Sequence, residues 1–518
     1  MERKWWTLTA VSVGVFMLLL DVTIVNDALP DIQQAFGASF SDLQWVIDAY
    51  ALTLASLLLT AGSLADLYGR RRLFSIGIAI FTLGSALCGV SSSATFLALA
   101  RAGQGVGGAI MFATALALLA HAFRGRDRGT AFGVFGAITG IAVAIGPVLG
   151  GAITSGLSWR WIFLVNVPIG IVAFAVTRLR VEESRDPQPR RPDWLGFLTF
   201  SGALSALVYG LIKSSSSGWG STLVVGCMAA AASLLAAFVV VELVQRTPMF
   251  DFALLRKPTF TGGLLAAFGI SASLFALLTY LVLYVQNVLG YSAVATGVRF
   301  LALTGAIFLT AGIAGRLTTR VPIRFLIGPG FLLIAGGLLL MRGITPASDW
   351  THLLPGLILA GVGAGLVNVP LASTAVGVVE PARAGMASGI NSTFRQVGIA
   401  TGIAALGAVF ASQVRDSVAT HLAQTPLAGT AHAVGHAVSS GQASGAIGHT
   451  PAPLRATVAA AAQSGFVDGL NSILLIGAVV AFIAAATSFT LIRQRDFVQD
   501  PVEMGEADEA AVAQPIAA

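Results

Sequence analysis

Apolar runs of about twenty residues repeat along almost the whole chain, each closed by a short polar or glycine-containing break. A helix needs roughly 20 apolar residues to cross a bilayer's hydrocarbon core. Such windows centre on residues 7–28, 43–65, 73–91, 96–120, 131–155, 161–178, 195–213, 221–243, 260–286, 293–315, 323–341, 352–377, 385–411 and 469–492. About fourteen membrane-spanning helices are therefore expected. The runs lack the alternation of a barrel strand, and backbone groups in lipid must be satisfied within their own segment, which selects helices.

Composition agrees. The 518 residues are 56% hydrophobic and 10% charged, against about 25% charged in a soluble domain. The net charge of +6 does not point to nucleic acid, because the basic residues sit in short clusters between apolar runs. With the N-terminus inside, alternate loops carry Arg3 and Lys4; Arg70 to Arg72; Arg124, Arg126 and Arg128; Arg178 through Arg191; Arg246, Arg256 and Lys257; Arg316, Arg320 and Arg324; Arg383; and Arg493 and Arg495. The opposite loops carry only Arg160, Lys213, Arg342, Arg415 and Arg455. This bias of about four to one predicts that both termini are cytoplasmic. The start MERKWW is followed by a run too long for a signal peptide, without a small-residue cleavage site, so it reads as a retained first span. Cys88 and Cys227 lie in apolar runs and read as small core residues. Residues 413–467 are rich in Ala, Gly, Ser and His and read as an extracellular loop with room for short amphipathic helices, and His421, His432, His436 and His449 read as solvated loop histidines. Residues 496–518 read as an acidic cytoplasmic tail.

A few polar residues interrupt the oily spans. LLLDVTIVND (18–27) places Asp21 inside the first span, where a central Asp costs about 2.5–3.5 kcal/mol on insertion scales, so it is a candidate functional group. At 1.5 Å per residue, Asp21 lies ~9–13 Å below the outer surface, Asp48 of QWVIDAY ~7–10 Å below it, and Arg101 at a similar depth. Two carboxylates and a guanidinium are thus expected in one layer. Asp48 and Asp66 are five helical turns apart and share a face. No nucleotide-binding loop, His-x-x-x-His pair or paired Cys occurs in the spans, which sets aside ATP coupling and membrane-enzyme chemistry; no cofactor or metal is expected.

Four stretches carry a family resemblance. GSLADLYGRRRLF (62–74) is similar to the loop signature of the major facilitator superfamily, which implies that Gly62, Asp66, Gly69, Arg70 and Arg71 form a cytoplasmic gate. FLALARAGQGVGGA (96–109) resembles the motif whose Arg is linked to proton transfer, and FRQVGIATG (394–402) echoes it. GVFGAITGIAVAIGPVLGG (133–151) resembles the antiporter motif of exporters, with Gly133, Gly146, Pro147, Gly150 and Gly151 in place and Ala142 where a Gly is usual. The order of these motifs looks like the 14-span drug:proton antiporter branch and covers about residues 5–495.

The resemblance implies an all-α integral membrane fold of two six-helix halves, 1–192 and 259–495, with two additional helices in 193–258. It implies alternating-access export of amphipathic or cationic, drug-like compounds across a bacterial inner membrane, driven by the proton gradient, with no nucleic-acid partner, by a monomer. Asp21, Asp48 and Arg101 are the expected proton-coupling group. Asn26, Gln104, Tyr280, Gln286, Met386, Asn391 and Arg395 are candidate cavity-lining residues. Asp27 is either a second acidic site or an interface residue. Two other readings stay open: a narrow exporter of an endogenous antibiotic or metabolite, and a proton-coupled importer.

Overall fold

The computed structural model describes residues 2–38, 40–185, 192–245, 248–318, 320–439, 447–448 and 450–497. The side chains of Asn26, Asp27, Arg126 and Pro147, and all of His449 and the 498–518 tail, lie outside the described residues.

Each of the fourteen apolar windows is helical. The elements are α1 (Arg3–Phe36), α2 (Phe40–Tyr68), α3 (Arg70–Gly89), α4 (Ala94–Ala122), α5 (Gly125–Gly156), α6 (Trp161–Leu164), α7 (Asn166–Arg180), α8 (Trp194–Ser217), α9 (Thr222–Val244), α10 (Pro258–Ile270), α11 (Ala276–Leu283), α12 (Ala293–Leu317), α13 (Arg324–Leu340), α14 (Leu354–Gly377), α15 (Ala384–Leu422), α16 (Ala431–Ser439) and a last long helix, Arg455–Leu491. Among the described residues, twelve segments are long and apolar enough to cross a membrane. The 17-residue α13 is a shorter apolar helix, and α5 is not among the twelve. This count does not by itself confirm the expected fourteen.

Local chemistry sets the breaks between spans. Ser93, Ser221 and Ser292 each accept a hydrogen bond from the backbone N–H three residues on, at 3.2–3.3 Å, starting α4, α9 and α12. Gly37 and Gly69 take positive φ, +59° and +104°, where a side chain would be strained. One span is irregular: Ser271–Phe275 and Tyr284–Val288 are single π turns flanking α11, a distortion often found beside functional sites.

One large apolar core joins α10 through α15 with the last long helix; a second centres on α1 through α5 and α7. The two meet where α5 packs along α12 and α2 along α15. α8 packs against α9, α2 and α15, which places the 193–258 pair beside this junction.

Residues 413–467 are not a plain loop. α15 continues to Leu422, α16 follows, and the last long helix already begins at Arg455. The reason is an apolar stripe at one-turn spacing, Val414, Val418 and Leu422, all buried, which faces Gly465 and Gly469 of the last helix. Ser417 Oγ donates to Asp468 Oδ2 at 2.7 Å across the same contact. Cys88 and Cys227 are both free thiols.

Candidate functional site

Three features lie on the helices around the junction: a buried acid network, a latch and a central cavity.

Asp21 of α1 is completely buried and Arg101 of α4 nearly so. They form an ion pair through Arg101 Nη1 and Asp21 Oδ2. The other carboxylate oxygen accepts from Gln104 Nε2 at 2.8 Å and from Asn166 Nδ2 at 3.3 Å. Both amides also donate to Ser85 Oγ, at 2.7 and 3.3 Å. Arg101 donates further to Gln104 Oε1 at 2.8 Å and to the Val46 carbonyl at 3.2 Å, and its guanidinium lies 4.2 Å from the Tyr50 ring centroid. A buried ion pair is costly unless its remaining hydrogen-bonding capacity is met, and here five helices meet it. Glycine makes the approach possible. A Cβ at Gly84 would sit 2.9 Å from Gln104 Cα, and one at Gly105 would sit 2.6 Å from the Tyr50 carbonyl. α3 and α2 therefore press directly on α4.

Asp48 does not join this network: among the described residues no hydrogen bond or ion pair links it to Asp21 or Arg101. Shared depth does not give shared direction. Val46 faces α4, and two residues on, about 200° round the helix, half-buried Asp48 feels the charge of Lys213 on α8 instead. Lys213 also lies 5.3 Å from the Trp45 ring, which stacks on Tyr209. Ser205 Oγ donates to Ser56 Oγ at 3.0 Å, and Thr60 and Ser201 hydroxyls pair at 3.2 Å. α8 thus covers, with a polar stripe, the α2 face expected to connect Asp48 with Asp66.

The latch lies at the Arg70–Arg72 end. Asp66 Oδ1 accepts from Arg70 Nε (2.9 Å), Arg70 Nη2 (2.8 Å) and Gly385 N (2.8 Å), and Oδ2 accepts from Met386 N (2.8 Å). The carboxylate therefore sits on the N-terminus of α15, where free N–H groups and the helix dipole favour an anion. Arg70 also donates to the carbonyls of Pro381 (2.6 Å) and Ala382 (3.2 Å), bridging to the segment before α15. Gly62 allows the crossing, because a Cβ there would run into the Gly385 carbonyl; Gly389 lies against the Leu58 carbonyl in the same way. Gly69 turns the chain, and a Cβ there would strike the Glu183 carboxylate at 2.7 Å. Glu183 in turn accepts from the N–H groups of Arg71 (2.9 Å) and Arg72 (3.1 Å), capping α3, while the Arg71 side chain pairs with it at 3.6 Å.

On α5 the chain remains helical through positions 146 and 147 to Gly156, so the Gly-Pro pair does not end the helix. Gly133 and Gly129 face Gly315 of α12, Gly146 faces Thr23 of α1, Gly151 faces Val294, and Gly150 is buried.

The cavity, of about 80 Å³, is walled by Phe112 and Leu116 of α4, Phe132, Phe135 and Thr139 of α5, Phe275 of the first π turn, Leu278 of α11, and Leu303, Thr304 and Ile307 of α12. Asn368 of α14 and Asn391, Ser392 and Arg395 of α15 complete it. Of the expected lining residues, Asn391 and Arg395 are here. Gln104 is instead in the acid network, and Met386 is buried at the latch. Tyr280 donates to the Ile403 carbonyl at 2.9 Å and packs on Phe410. Gln286 is half-buried in the second π turn, away from the lining. Asn26 falls outside the described side chains. Sequence reasoning missed Ser85, Asn166, Glu183, Gly385 and Asn368; Asn166 and Asn368, polar residues inside apolar runs, carried the same signal as Asp21.

The family comparison agrees with this architecture. Residues 11–403 match the Major Facilitator Superfamily model, and the chain belongs to that superfamily of multi-pass membrane transporters. It is 37% identical over 417 residues to the multidrug resistance protein Stp of Mycobacterium tuberculosis, covering 80% of this chain and 78% of that one. It is 34% identical to the tetracenomycin C resistance and export protein of Streptomyces glaucescens, covering 94% and 91%. The fold superposes on the proton:xylose symporter XylE with a TM-score of 0.64 at 11% identity, covering 95% and 96%.

Proposed function

We propose that the chain is a proton-coupled efflux transporter that moves amphipathic compounds out of the cytoplasm by alternating access. The observation that carries the reading is Asp21, a fully buried carboxylate tied to Arg101, Gln104 and Asn166. A carboxyl in that position has two states that the surrounding helices must answer differently. Ionised, it holds Arg101 and draws α1, α4 and α7 together. Protonated, it releases the guanidinium, and the network must find new partners. That gives a proton a grip on the packing of one half of the molecule.

The latch supplies the other requirement, a closure that can be made and broken. Its end of the molecule carries the clustered arginines, and we assign it to the cytoplasmic side of a bacterial inner membrane. The conformation described here is then closed to the cytoplasm, with the cavity between the halves as the cargo site. The proton gradient supplies the energy, with no cofactor, and Asp48, held near Lys213, is a second acid on the outer half of α2. The direction of transport is supported by the relatives, which are named for drug resistance and export. The extended match to the tetracenomycin exporter favours, as a second reading, one narrow cargo made by the cell itself.

The test is transport by everted vesicles loaded with an acidic interior. Wild-type protein is expected to accumulate a dye-like substrate as the gradient is applied, and Asp21→Asn to lose the gradient-driven component while still binding substrate. Full gradient-driven accumulation by Asp21→Asn would remove Asp21 from the coupling.

A further inference from the structure

Two buried charge pairs are closed within the described helices: Arg101 holds Asp21, and Arg70 holds Asp66. Glu242 of α9 is buried as well and accepts from the Phe250 N–H at 3.1 Å. Arg395 lines the central cavity, and among the described residues it has no carboxylate partner; its guanidinium lies 5.8 Å from the Phe275 ring centroid. Among the described residues, no acidic side chain lines the cavity.

We propose that this cavity takes its cargo as an anion: a flat aromatic amphiphile bearing a carboxylate, sulfonate or ionised phenol, seated on Arg395. The proposal rests on the reading of the chain as an exporter and names the cargo class of its cavity. A lone guanidinium in a low-dielectric site is expensive to hold, and an opposite charge relieves it. The neighbouring amide adds direction. Asn391 is one helical turn before Arg395, so the two share a face, and its Nδ2 is buried without a hydrogen-bond partner. A donor and a cation therefore converge where an anionic oxygen would sit. From α14, Asn368 Oδ1 is likewise buried and unpartnered, placed to accept from a hydroxyl on the same ligand. Phe112, Phe132, Phe135 and Phe275 provide aromatic walls for the flat part. The cationic amphiphiles suggested by the sequence resemblance would meet a like charge here.

The test uses two probes with one small aromatic ring and opposite charge, phenylacetate and benzyltrimethylammonium. Binding is read by titration calorimetry on the full-length protein in lipid nanodiscs. Like and opposite charges a few ångströms apart differ strongly in energy, so the wild type is expected to bind the anion at least about tenfold more tightly. Arg395→Gln should remove that preference by weakening the anion and not the cation, while Arg395→Lys should keep it. Equal or tighter binding of the ammonium probe by the wild type overturns the proposal without any variant. A preference unchanged in a folded Arg395→Gln protein overturns it too. Everted-vesicle transport separates this from the broader reading. Uphill movement of the cation instead of the anion would sink the cargo class and leave export standing. Anion-selective binding with no uphill movement of either probe would do the reverse.

Discussion

Replacing Asp66 by Asn tests the latch most directly. The carboxylate accepts four hydrogen bonds, two from Arg70 and one each from the N–H groups of Gly385 and Met386. An amide keeps one oxygen for Arg70 and Gly385 and turns an NH2 toward the Met386 N–H, donor against donor. It also leaves Arg70, whose side chain is 3% exposed, without a counter-charge. Charge-assisted hydrogen bonds contribute about 1.5–3 kcal/mol each, and breaking a buried pair costs about 3–5 kcal/mol. The open conformation keeps some of that loss, because Arg70 is hydrated there. A net weakening of the closed state by about 2–4 kcal/mol is expected, a change of roughly 30- to 1000-fold in the closed-to-open ratio. Spin labels at Leu179→Cys on α7 and Phe325→Cys on α13, both exposed positions, would report the separation of the two halves in protein lacking Cys227. The variant should convert a single short distance into a dominant longer one. If Asp66→Asn leaves the distance distribution of the wild type unchanged, the carboxylate does not hold this end shut.

Two further variants separate close approach from capping. Gly385→Ala puts a Cβ against Asp66 Oδ1 and 2.5 Å from the Gly62 carbonyl, so transport should fall at least about tenfold while the variant still elutes as folded protein; near-normal transport would show that the crossing has slack. Glu183→Ala removes the acceptor for two N–H groups at the start of α3 and should cost about 1 kcal/mol, seen as a slightly lower thermal midpoint with unchanged substrate affinity. A collapse of folding would mean that Glu183 does more than cap.

Reading the sequence captured what is periodic or chemically out of place. Apolar windows located the helices because hydrophobic length is a local property of the chain. Asp21, Arg101 and Asp66 stood out because charge inside a span is expensive and therefore informative. Their partners were less visible. The match between Asp66 and the N–H groups of Gly385 and Met386 links positions about 320 residues apart, and backbone donors have no sequence signature. Asp48 was placed with Asp21 because depth follows from counting residues; its direction depends on which helix packs on that face, here α8. The cavity was the least legible. Phe112, Phe135 and Phe275 look the same in a sequence whether they fill a core or wall a void. The helices beyond Ser412 were obscured because Arg415, Asp416 and Ser417 lower the mean hydropathy, although the stripe at 414, 418 and 422 continues beneath them.

The glycines at 62, 385 and 389 leave the mating surfaces of α2 and α15 nearly bare of side chains where they cross. Backbone rests on backbone, so nothing interlocks and few rotamers must change when the faces part. Such a joint releases like two smooth rails and not like a zip fastener. In the proposed alternating-access cycle, the timing of each turnover would then be set by the ionic clasp beside it, a single carboxylate pacing a movement shared by the entire protein.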